Sequence, residues 1–221
     1  MKIKMQGKEI EVSAPATVYD AAKEAGLIDR SVIGAEIEGK TVALTTEVHE
    51  GESVWLLTFA DEAGKHLFRH TASHILAQAV KRLYPEAKLT IGPAVDNGFY
   101  YDIDSDVTFT PEVLAKLEAE MKKIVKENLK IERFVLPKNE ALALVREMNE
   151  PYKELLIERI DEGEEISFYR QGEFTDLCAG PHLFSTAAVR SFKLTSCTGA
   201  YWEGNSNYMM LQRIYGTAFP T

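Results

Sequence analysis

Short stretches of alternating apolar and polar residues, a pattern typical of β-strands, run through the first part of the chain. Two of them, residues 3–5 and 10–12, flank Gln6-Gly7-Lys8 and predict a hairpin. Thr17 and, three residues later, Asp20 predict the capping box of a short helix. Further strand-like stretches follow this helix.

The order of two strands, a helix and further short strands predicts a ubiquitin-like β-grasp domain over residues 1–60. Residues 61–65 are polar and predict a linker. Residues 66–221 combine helical and strand-like segments without a regular βαβ alternation, so we expect one larger α+β domain there. The predicted fold class of the whole chain is α+β.

The clearest helical pattern of the second domain covers residues 66–83 and ends at Tyr84-Pro85, because the residue before a proline disfavours the helical conformation. Its apolar stripe contains Ala72, Leu76, Ala79, Val80 and Leu83. Successive helical residues are about 100° apart, which puts His70 and His74 on the opposite side. We therefore expect that the histidine face is not the main packing face.

Composition and charge narrow the class of protein. The 221 residues include 25 basic and 34 acidic side chains, and the formal net charge of −9 disfavours a general nucleic-acid coat protein. No apolar run approaches the roughly 18 residues of a membrane span, and two cysteines are too few for a disulfide scaffold. We expect a soluble, cytoplasmic protein without a membrane partner.

Three of the five histidines and one of the two cysteines fall in two short motifs, His70-Thr71-Ala72-Ser73-His74 and Cys178-Ala179-Gly180-Pro181-His182. In the first motif, the i,i+4 spacing puts both imidazoles on one helix face. In the second, Gly180-Pro181 predicts a turn that lets Cys178 and His182 point into one site from a loop. Histidines without a chemical role are the alternative interpretation of the first motif.

Together, the two motifs admit two kinds of chemistry. Three imidazoles and one thiolate form a plausible zinc set. Alternatively, the histidines act as general bases or position water beside a thiol. Thr71 stands where a His-Glu-x-x-His metallopeptidase has its glutamate, so peptidase chemistry is not expected. Cys197, which has no histidine neighbour, is interpreted as a structural residue.

Three further residues could line a cleft. Tyr101 belongs to the aromatic segment 96–102, whose rings either stack on unpaired RNA bases or pack within a strand. Lys153 lies near a predicted helix start, where most lysines are solvated. Asp176 precedes Cys178 by two residues and could orient a histidine or bind a substrate amine.

With these motifs in place, the sequence closely resembles the amino-terminal half of bacterial threonyl-tRNA synthetases. The resemblance is carried by Arg69-His70-Thr71-Ala72-Ser73-His74, Ile91-Gly92-Pro93, Asn97-Gly98-Phe99-Tyr100-Tyr101-Asp102, Thr175-Asp176-Leu177-Cys178-Ala179-Gly180-Pro181-His182, Gly199-Ala200-Tyr201-Trp202-Glu203-Gly204 and Met210-Leu211-Gln212-Arg213-Ile214-Tyr215-Gly216-Thr217-Ala218. Residues 1–60 resemble the TGS domain of that family, so the resemblance covers nearly the whole chain.

The resemblance implies a TGS domain followed by an editing domain, which hydrolyses serine wrongly attached to threonine tRNA and spares the threonyl ester. At the matching positions, the implied catalytic residues are His70, His74, Lys153, Cys178 and His182. The implied substrate-binding residues are Asp176 and Tyr101. Ala179 departs from the family pattern, which usually has arginine there. If that arginine contacts the tRNA end, this protein holds the RNA differently.

The resemblance also sets expectations for cofactors and partners. The family's catalytic domain, which uses ATP and zinc, and its anticodon-binding domain have no counterpart here, so we expect no aminoacylation by this chain and either an excised fragment or a free-standing editor. For editing, we expect threonine tRNA as the partner and no required cofactor. Full-length members resemble homodimers, whereas a monomer is the expectation for this chain. Two alternatives stay open: a zinc-dependent aminoacyl-ester hydrolase that uses His70, His74, Cys178 and His182, and a non-catalytic RNA-binding module.

Overall fold

A computed structural model describes all 221 residues, and its mixture of helices and strands confirms the α+β class. The chain divides into two compact units. Unit 1 comprises Met1–Phe68 together with Pro181–Phe184, and unit 2 comprises Arg69–Gly180 together with Ser185–Thr221. None of the helices has the length and apolar character that a membrane crossing requires. The assignment of residues 1–60, 61–65 and 66–221 to a TGS domain, a linker and an editing domain stays a prediction.

Unit 1 contains a five-stranded mixed sheet, a short two-stranded sheet and one complete helix. Its elements are β1 (Lys2–Met5), β2 (Lys8–Glu11), β3 (Ala16–Thr17), α1 (Val18–Glu24), β4 (Gly34–Ile37), β5 (Lys40–Val42), β6 (Glu47–Val48) and β7 (Ser53–Leu57). The larger sheet has the order β2-β1-β7-β4-β5, and β3 pairs with β6. In the larger sheet only β1 and β7 pair in parallel.

The local signals of unit 1 act as predicted. The β1–β2 hairpin turns at Gln6 and Gly7, whose φ angles of 51° and 77° lie in the left-handed region. The capping box of α1 is present, because the Thr17 hydroxyl accepts from the Asp20 amide and the Asp20 carboxylate accepts from the Thr17 amide. The buried face of α1 packs with the sheet in one apolar core, which includes Ile3, Met5, Val18, Ala21, Ala22, Ala35 and Val54.

Helix α2 (Glu62–Leu83) begins four residues before its predicted start at residue 66, so most of the predicted linker is helical. Asp61 explains the early start. Its carboxylate accepts a hydrogen bond from the Thr58 amide at 2.7 Å, and its carbonyl accepts one from the Lys65 amide at 2.9 Å. The linker prediction rested on polarity, which does not exclude the exposed first turn of a helix.

The apolar stripe was expected to be the main packing face of α2, but the side that carries the histidines is largely buried as well. Between residues 67 and 80 every residue except His70 is buried. Ser73 donates to the Gly92 carbonyl at 2.6 Å, and Gln78 donates to the Gln171 carbonyl at 3.2 Å. Backbone acceptors of neighbouring segments therefore satisfy buried polar side chains outside the apolar stripe.

Unit 2 contains two antiparallel sheets and three helices besides its part of α2. Its further elements are β8 (Lys88–Leu89), β9 (Ala94–Val95), β10 (Gly98–Asp104), α3 (Pro111–Glu127), β11 (Ile131–Leu136), α4 (Lys138–Glu147), α5 (Pro151–Glu158), β12 (Ile166–Gln171), β13 (Phe174–Leu177), β14 (Ser191–Tyr201) and β15 (Met210–Phe219). The larger sheet has the order β14-β15-β10-β8, with β9 on β10, and the smaller sheet has the order β11-β12-β13.

Two strands of unit 2 differ from the sequence prediction. Strand β13 was not predicted, because four residues that include an acid give no clear alternation; it forms through its antiparallel pairing with β12. Strand β14 is longer than its apolar residues indicate and runs from Ser191 to Tyr201. Most of its side chains are exposed, so its pairing with β15, and not an apolar face, defines its length.

Arg82 joins three segments of unit 2. Its guanidinium forms a bidentate pair with Glu127 of α3 at 2.7 and 2.8 Å and donates to Glu173, in the β12–β13 turn, at 2.6 Å. The Arg82 side chain is 21% exposed, so water screens these pairs only in part. The hydrogen bond from Arg82 lowers the pKa of Glu173 from 4.5 to about 2.

We predict that Arg82→Met lowers the free energy of unfolding by about 1–2 kcal/mol at neutral pH, since it removes a network and not one exposed pair. The folded-state pKa of Glu173 is depressed, so its contribution is complete above pH 4.5 and is lost as the pH falls towards about 2. Urea unfolding of both proteins across this range measures the difference. Arg146→Met, which removes one exposed pair with Glu154, is the control. A constant difference across the range contradicts the prediction.

Candidate functional site

Helix α2 presents two imidazoles of the first motif within unit 2. The rings of His70 and His74 lie one helical turn apart, with centroids 5.2 Å from each other and planes at 81°. His74 is only 3% exposed, whereas His70 is partly exposed. The helix therefore sets one histidine inside the fold and leaves the other within reach of solvent.

The carboxylate of Asp176 lies at the centre of a buried polar cluster. Asp176 sits on β13 and is 1% exposed. One of its oxygens, Oδ1, lies 2.8 Å from Lys153 Nζ, and the other, Oδ2, accepts a hydrogen bond from the Tyr101 hydroxyl at 2.7 Å. His74 Nε2 lies 3.6 Å from the same Oδ2. Three predicted site residues from three elements thus converge on one carboxylate.

Lys153 lies in the first turn of α5. Most lysines at helix starts are solvated, but this one is buried. It is 3% exposed, and its Nζ also donates to the Tyr101 hydroxyl at 3.0 Å. A buried ammonium costs free energy unless a carboxylate and hydrogen bonds compensate it, and Asp176 and Tyr101 supply both. The lysine is therefore a fixed part of the cluster.

Tyr101 packs within β10 and is 1% exposed, so its ring is not available to stack on an RNA base. The ring lies against the backbone of Gly92: a Cβ atom at that position would be 2.1 Å from Tyr101 Cδ2. Burial, followed by the charge of Asp176, raises the pKa of the Tyr101 hydroxyl well above 10. The hydroxyl therefore stays a neutral donor to Asp176 and an acceptor for Lys153.

Cys178 leaves β13 in the turn that the second motif predicts. Its Sγ lies 3.4 Å from His70 Nε2 and accepts a hydrogen bond from the Gly180 amide at 3.2 Å. Gly180 has a φ of +72°, and a Cβ atom there would lie 1.9 Å from the Tyr169 hydroxyl oxygen. Only glycine fits this turn, and the turn holds the thiol beside the imidazole.

Burial sets the protonation of His74 and Cys178. Burial, with His70 and Lys153 as neighbours, holds the pKa of His74 well below 6.5, so its imidazole is neutral at pH 7. Burial and the charge of Asp176 raise the pKa of the Cys178 thiol to about 12, so it is not a thiolate there. The cluster therefore contains a neutral base and a weakly nucleophilic thiol.

A metal ion is chemically compatible with part of this cluster. The ligand atoms of His70, His74 and Cys178 all lie within 4.8 Å of one another. Two nitrogens and one sulfur are ligands that zinc prefers. These three residues of unit 2 could therefore hold a metal ion, although the same atoms also suit metal-free acid–base chemistry.

Six of the seven predicted site residues lie together in unit 2. Tyr101 and Lys153 bond to the carboxylate of Asp176, and His70, His74 and Cys178 lie beside it. His182 is 1% exposed and lies in Pro181–Phe184, the four residues that cluster with unit 1, so its place in the site stays a prediction. Ala179 is exposed between Cys178 and Gly180.

Sequence reasoning missed Glu150, a 3% exposed carboxylate three residues before Lys153. Its Oε1 lies 2.9 Å from Lys81 Nζ. An acid directly before Pro151 resembles an ordinary helix cap, so the sequence contains no signal that separates a tertiary role from capping.

Comparison with known proteins gives a consistent family. Residues 166–215 match the model of the second additional domain of threonyl and alanyl tRNA synthetases. The threonine–tRNA ligases of Clostridium botulinum (strain Okra / Type B1) and Clostridium tetani (strain Massachusetts / E88) are each 59% identical over 214 residues. Each match covers 96% of this chain and 34% of the relative, so the chain spans about a third of their length.

Together, the matched domain, the two ligases and the convergence of His70, Lys153, Asp176 and Cys178 in unit 2 agree with the resemblance read from the sequence. The chain is similar to the amino-terminal third of threonine–tRNA ligases.

Proposed function

We propose that this chain proofreads threonine tRNA: it hydrolyses seryl-tRNA(Thr) by attack of water on the aminoacyl ester and spares threonyl-tRNA(Thr). The observation that supports this proposal most directly is the buried cluster of Lys153, Tyr101 and Asp176 beside two imidazoles. The partner is the 3′ end of threonine tRNA, and the setting is the cytoplasm. Relatives with three times this length are named ligases, and ligation itself is not part of the proposal.

The need for a second site follows from the small chemical difference between serine and threonine. One methyl group changes binding in a pocket by only about 1–3 kcal/mol, so a synthetic site for threonine also admits serine. A smaller hydrolytic pocket reverses the selection, because the methyl group of threonine overlaps with its wall. The buried, tightly bonded side chains of this cluster suit such a pocket, since they have little freedom to move aside.

The chemistry requires a bound ammonium group, an oriented water and a stabilised oxyanion. The Asp176 carboxylate has further acceptor capacity beyond Lys153 and Tyr101 and suits the ammonium group of the substrate. A neutral imidazole accepts the proton of the attacking water. The Lys153 ammonium donates towards the oxygen that becomes negative as the water oxygen bonds to the ester carbon. The ribose oxygen then leaves and takes up a proton, which gives free serine and tRNA.

Cys178 is better suited to shape the site than to attack the ester. The thiolate is the nucleophilic form of cysteine, and the raised pKa of this thiol keeps that form scarce at neutral pH. An aminoacyl ester is already reactive, so a correctly oriented water suffices without a covalent intermediate. The Gly180 amide and His70 hold the sulfur in one place beside the proposed water site.

Zinc catalysis is the second candidate, and the spacing of His70, His74 and Cys178 favours it. With His182 as the fourth residue, these side chains would hold zinc, which would act as a Lewis acid on the ester. Lys153 counts against this candidate, because an ammonium bonded to Asp176 already supplies a positive charge next to the same imidazoles. We therefore retain the metal-free reaction as the primary proposal.

We predict that the isolated chain releases serine from seryl-tRNA(Thr) and leaves threonyl-tRNA(Thr) intact. The physical reason is the steric exclusion of one methyl group. Loss of labelled amino acid from the two purified esters, with buffer alone as the baseline, measures both rates. Equal rates for the two esters, or no hydrolysis of either above baseline, would reject the proposed function.

We predict that Lys153→Ala and His70→Ala each slow deacylation by about 10²–10⁴-fold, because the first removes a donor to the developing oxyanion and the second a positioned proton-transfer group. Binding of tRNA should change by only a few fold, because neither residue supplies most of the phosphate contacts. Lys138→Ala is the control for truncation of a partly buried lysine, since its Nζ donates to the Glu158 and Ile160 carbonyls and lies 4.0 Å from Glu162, all outside the cluster. Full activity of Lys153→Ala removes that residue from the mechanism.

We predict that Cys178→Ala reduces the rate of deacylation. We also predict that no acyl-enzyme accumulates in the parent protein. Mass spectrometry of the quenched parent reaction tests for a seryl group on Cys178. The second cysteine, Cys197, provides the matched control: Cys197→Ala should keep the parent rate. A seryl-thioester on Cys178 contradicts attack by water.

We predict that hydrolysis survives exhaustive chelation, because Lys153, Tyr101 and Asp176 supply charge and hydrogen bonds without a metal ion. Elemental analysis and rates before and after chelation test this expectation. Stoichiometric zinc, with activity that is lost on its removal and restored by its return, supports the zinc mechanism instead.

A further inference from the structure

Glu150 is a buried carboxylate that the proposed hydrolysis does not use. It is 3% exposed, and it occupies the N-cap position of α5 without any capping hydrogen bond from its side chain. A carboxylate that is buried costs free energy unless specific partners stabilise it. Its position therefore reflects contacts with other parts of unit 2, and not the stabilisation of its own helix end.

Both oxygens of Glu150 contact other elements. Its Oε2 accepts a hydrogen bond from the Leu89 amide on β8 at 2.9 Å, and its Oε1 lies 2.9 Å from Lys81 Nζ near the end of α2. Lys81 Nζ also donates to the Pro85 and Ala87 carbonyls at 2.9 and 2.8 Å, which fixes the ammonium in turn. The carboxylate thus joins the start of α5 to β8 and α2.

These two elements belong to the frame of the candidate site. Strand β8 pairs with β10 through Leu89 and Ile103, two residues beyond Tyr101. Helix α2 carries His70 and His74, and Lys153 is the third residue of α5. The contacts of Glu150 therefore fix the backbone of α5 at Lys153 relative to β10, which carries Tyr101, and α2, which carries the two histidines.

Close packing supplies only part of this restraint, through Ile157 of α5, which packs with Ala141 and Val145 of α4. A cavity of about 470 Å³ is bordered by Glu150 and by Asp176, together with Gln78, Lys81 and Phe174. Side chains that face such a space have no dense neighbour to hold them in place. The contacts of Glu150 therefore add to the hydrogen bond from the Tyr152 hydroxyl to Asp104, which also holds the first turn of α5.

We propose that Glu150 is a positioning residue, which holds Lys153 Nζ in bonding distance of Asp176 and Tyr101 through its contacts with the Leu89 amide and Lys81. This inference rests on the proposed hydrolysis for its kinetic consequence. Glu150 itself does not touch the ester. A displacement of a reacting group by about 1 Å can cost about 10²-fold in rate, so a loose anchor affects turnover strongly.

The test compares two substitutions under single-turnover conditions with seryl-tRNA(Thr). Glu150→Gln keeps an oxygen for the Leu89 amide but loses the charge that pairs with Lys81, and we expect about a tenfold lower maximal rate. Glu150→Leu loses both contacts, and we expect about a hundredfold lower rate. The substrate concentration at half-maximal rate should stay within about threefold for both, because the substrate contacts are unchanged.

Glu118 provides a matched control. Its carboxylate also accepts a hydrogen bond from a backbone amide, that of Leu194 at 2.8 Å, and pairs with a lysine, Lys193, at 3.0 Å. It lies on α3 and contacts neither α5 nor the candidate site. Glu118→Gln and Glu118→Leu should therefore lower the unfolding midpoint by similar amounts and keep the parent rate.

A second readout keeps the inference separate from the proposed function. In a crystal structure of Glu150→Gln, and of Glu150→Leu if it folds, the distance from Lys153 Nζ to Asp176 Oδ1 should increase by about 1 Å from 2.8 Å. If the parent protein is inert, the proposed hydrolysis fails and this distance alone decides the inference. An unchanged distance, or an active parent whose Glu150 variants match the Glu118 variants in rate, overturns the positioning role.

Discussion

One buried carboxylate, that of Asp176, constrains the rest of unit 2. Its charge is stable inside the protein only because Lys153 Nζ lies 2.8 Å away and the Tyr101 hydroxyl donates to it at 2.7 Å. These three groups come from a strand, a helix and a strand of the other sheet. The two sheets and α5 must therefore meet at one point, and any change that separates them leaves a charge buried without a partner.

Several small features allow the two sheets and α5 to meet at Asp176. Gly92 has no side chain, so the Tyr101 ring can lie directly against its backbone. Gly180 allows a turn that holds Cys178 beside His70. The raised pKa of the Tyr101 hydroxyl and the lowered pKa of His74 have the same origin, which is exclusion of water. Exclusion of water fixes both the geometry and the protonation of the cluster.

The sequence predicted the features that depend on neighbouring residues and missed those that depend on distant ones. The Thr17–Asp20 capping box and the turn of the β1–β2 hairpin are local patterns, and both occur as predicted. Strand β13 and the burial of the α2 histidine face depend on pairing and packing between segments far apart in the chain. The roles of Lys153 and Asp176 came from family resemblance, since an exposed lysine and a buried one have the same local sequence.

Asp176 and Cys178 lie late in the chain, at the end of β13. Their position determines when the cluster can form during synthesis of the protein. Tyr101 precedes Asp176 by 75 residues, and His70 precedes Cys178 by 108 residues. Contacts at such separations form late, because a long loop must lose conformational entropy before the contacts can stabilise the chain. A nascent chain that already displays the α2 histidines therefore has no assembled cluster until β13 has emerged and paired. In the proposed function, an incomplete chain would therefore not hydrolyse esters before Asp176 is in place.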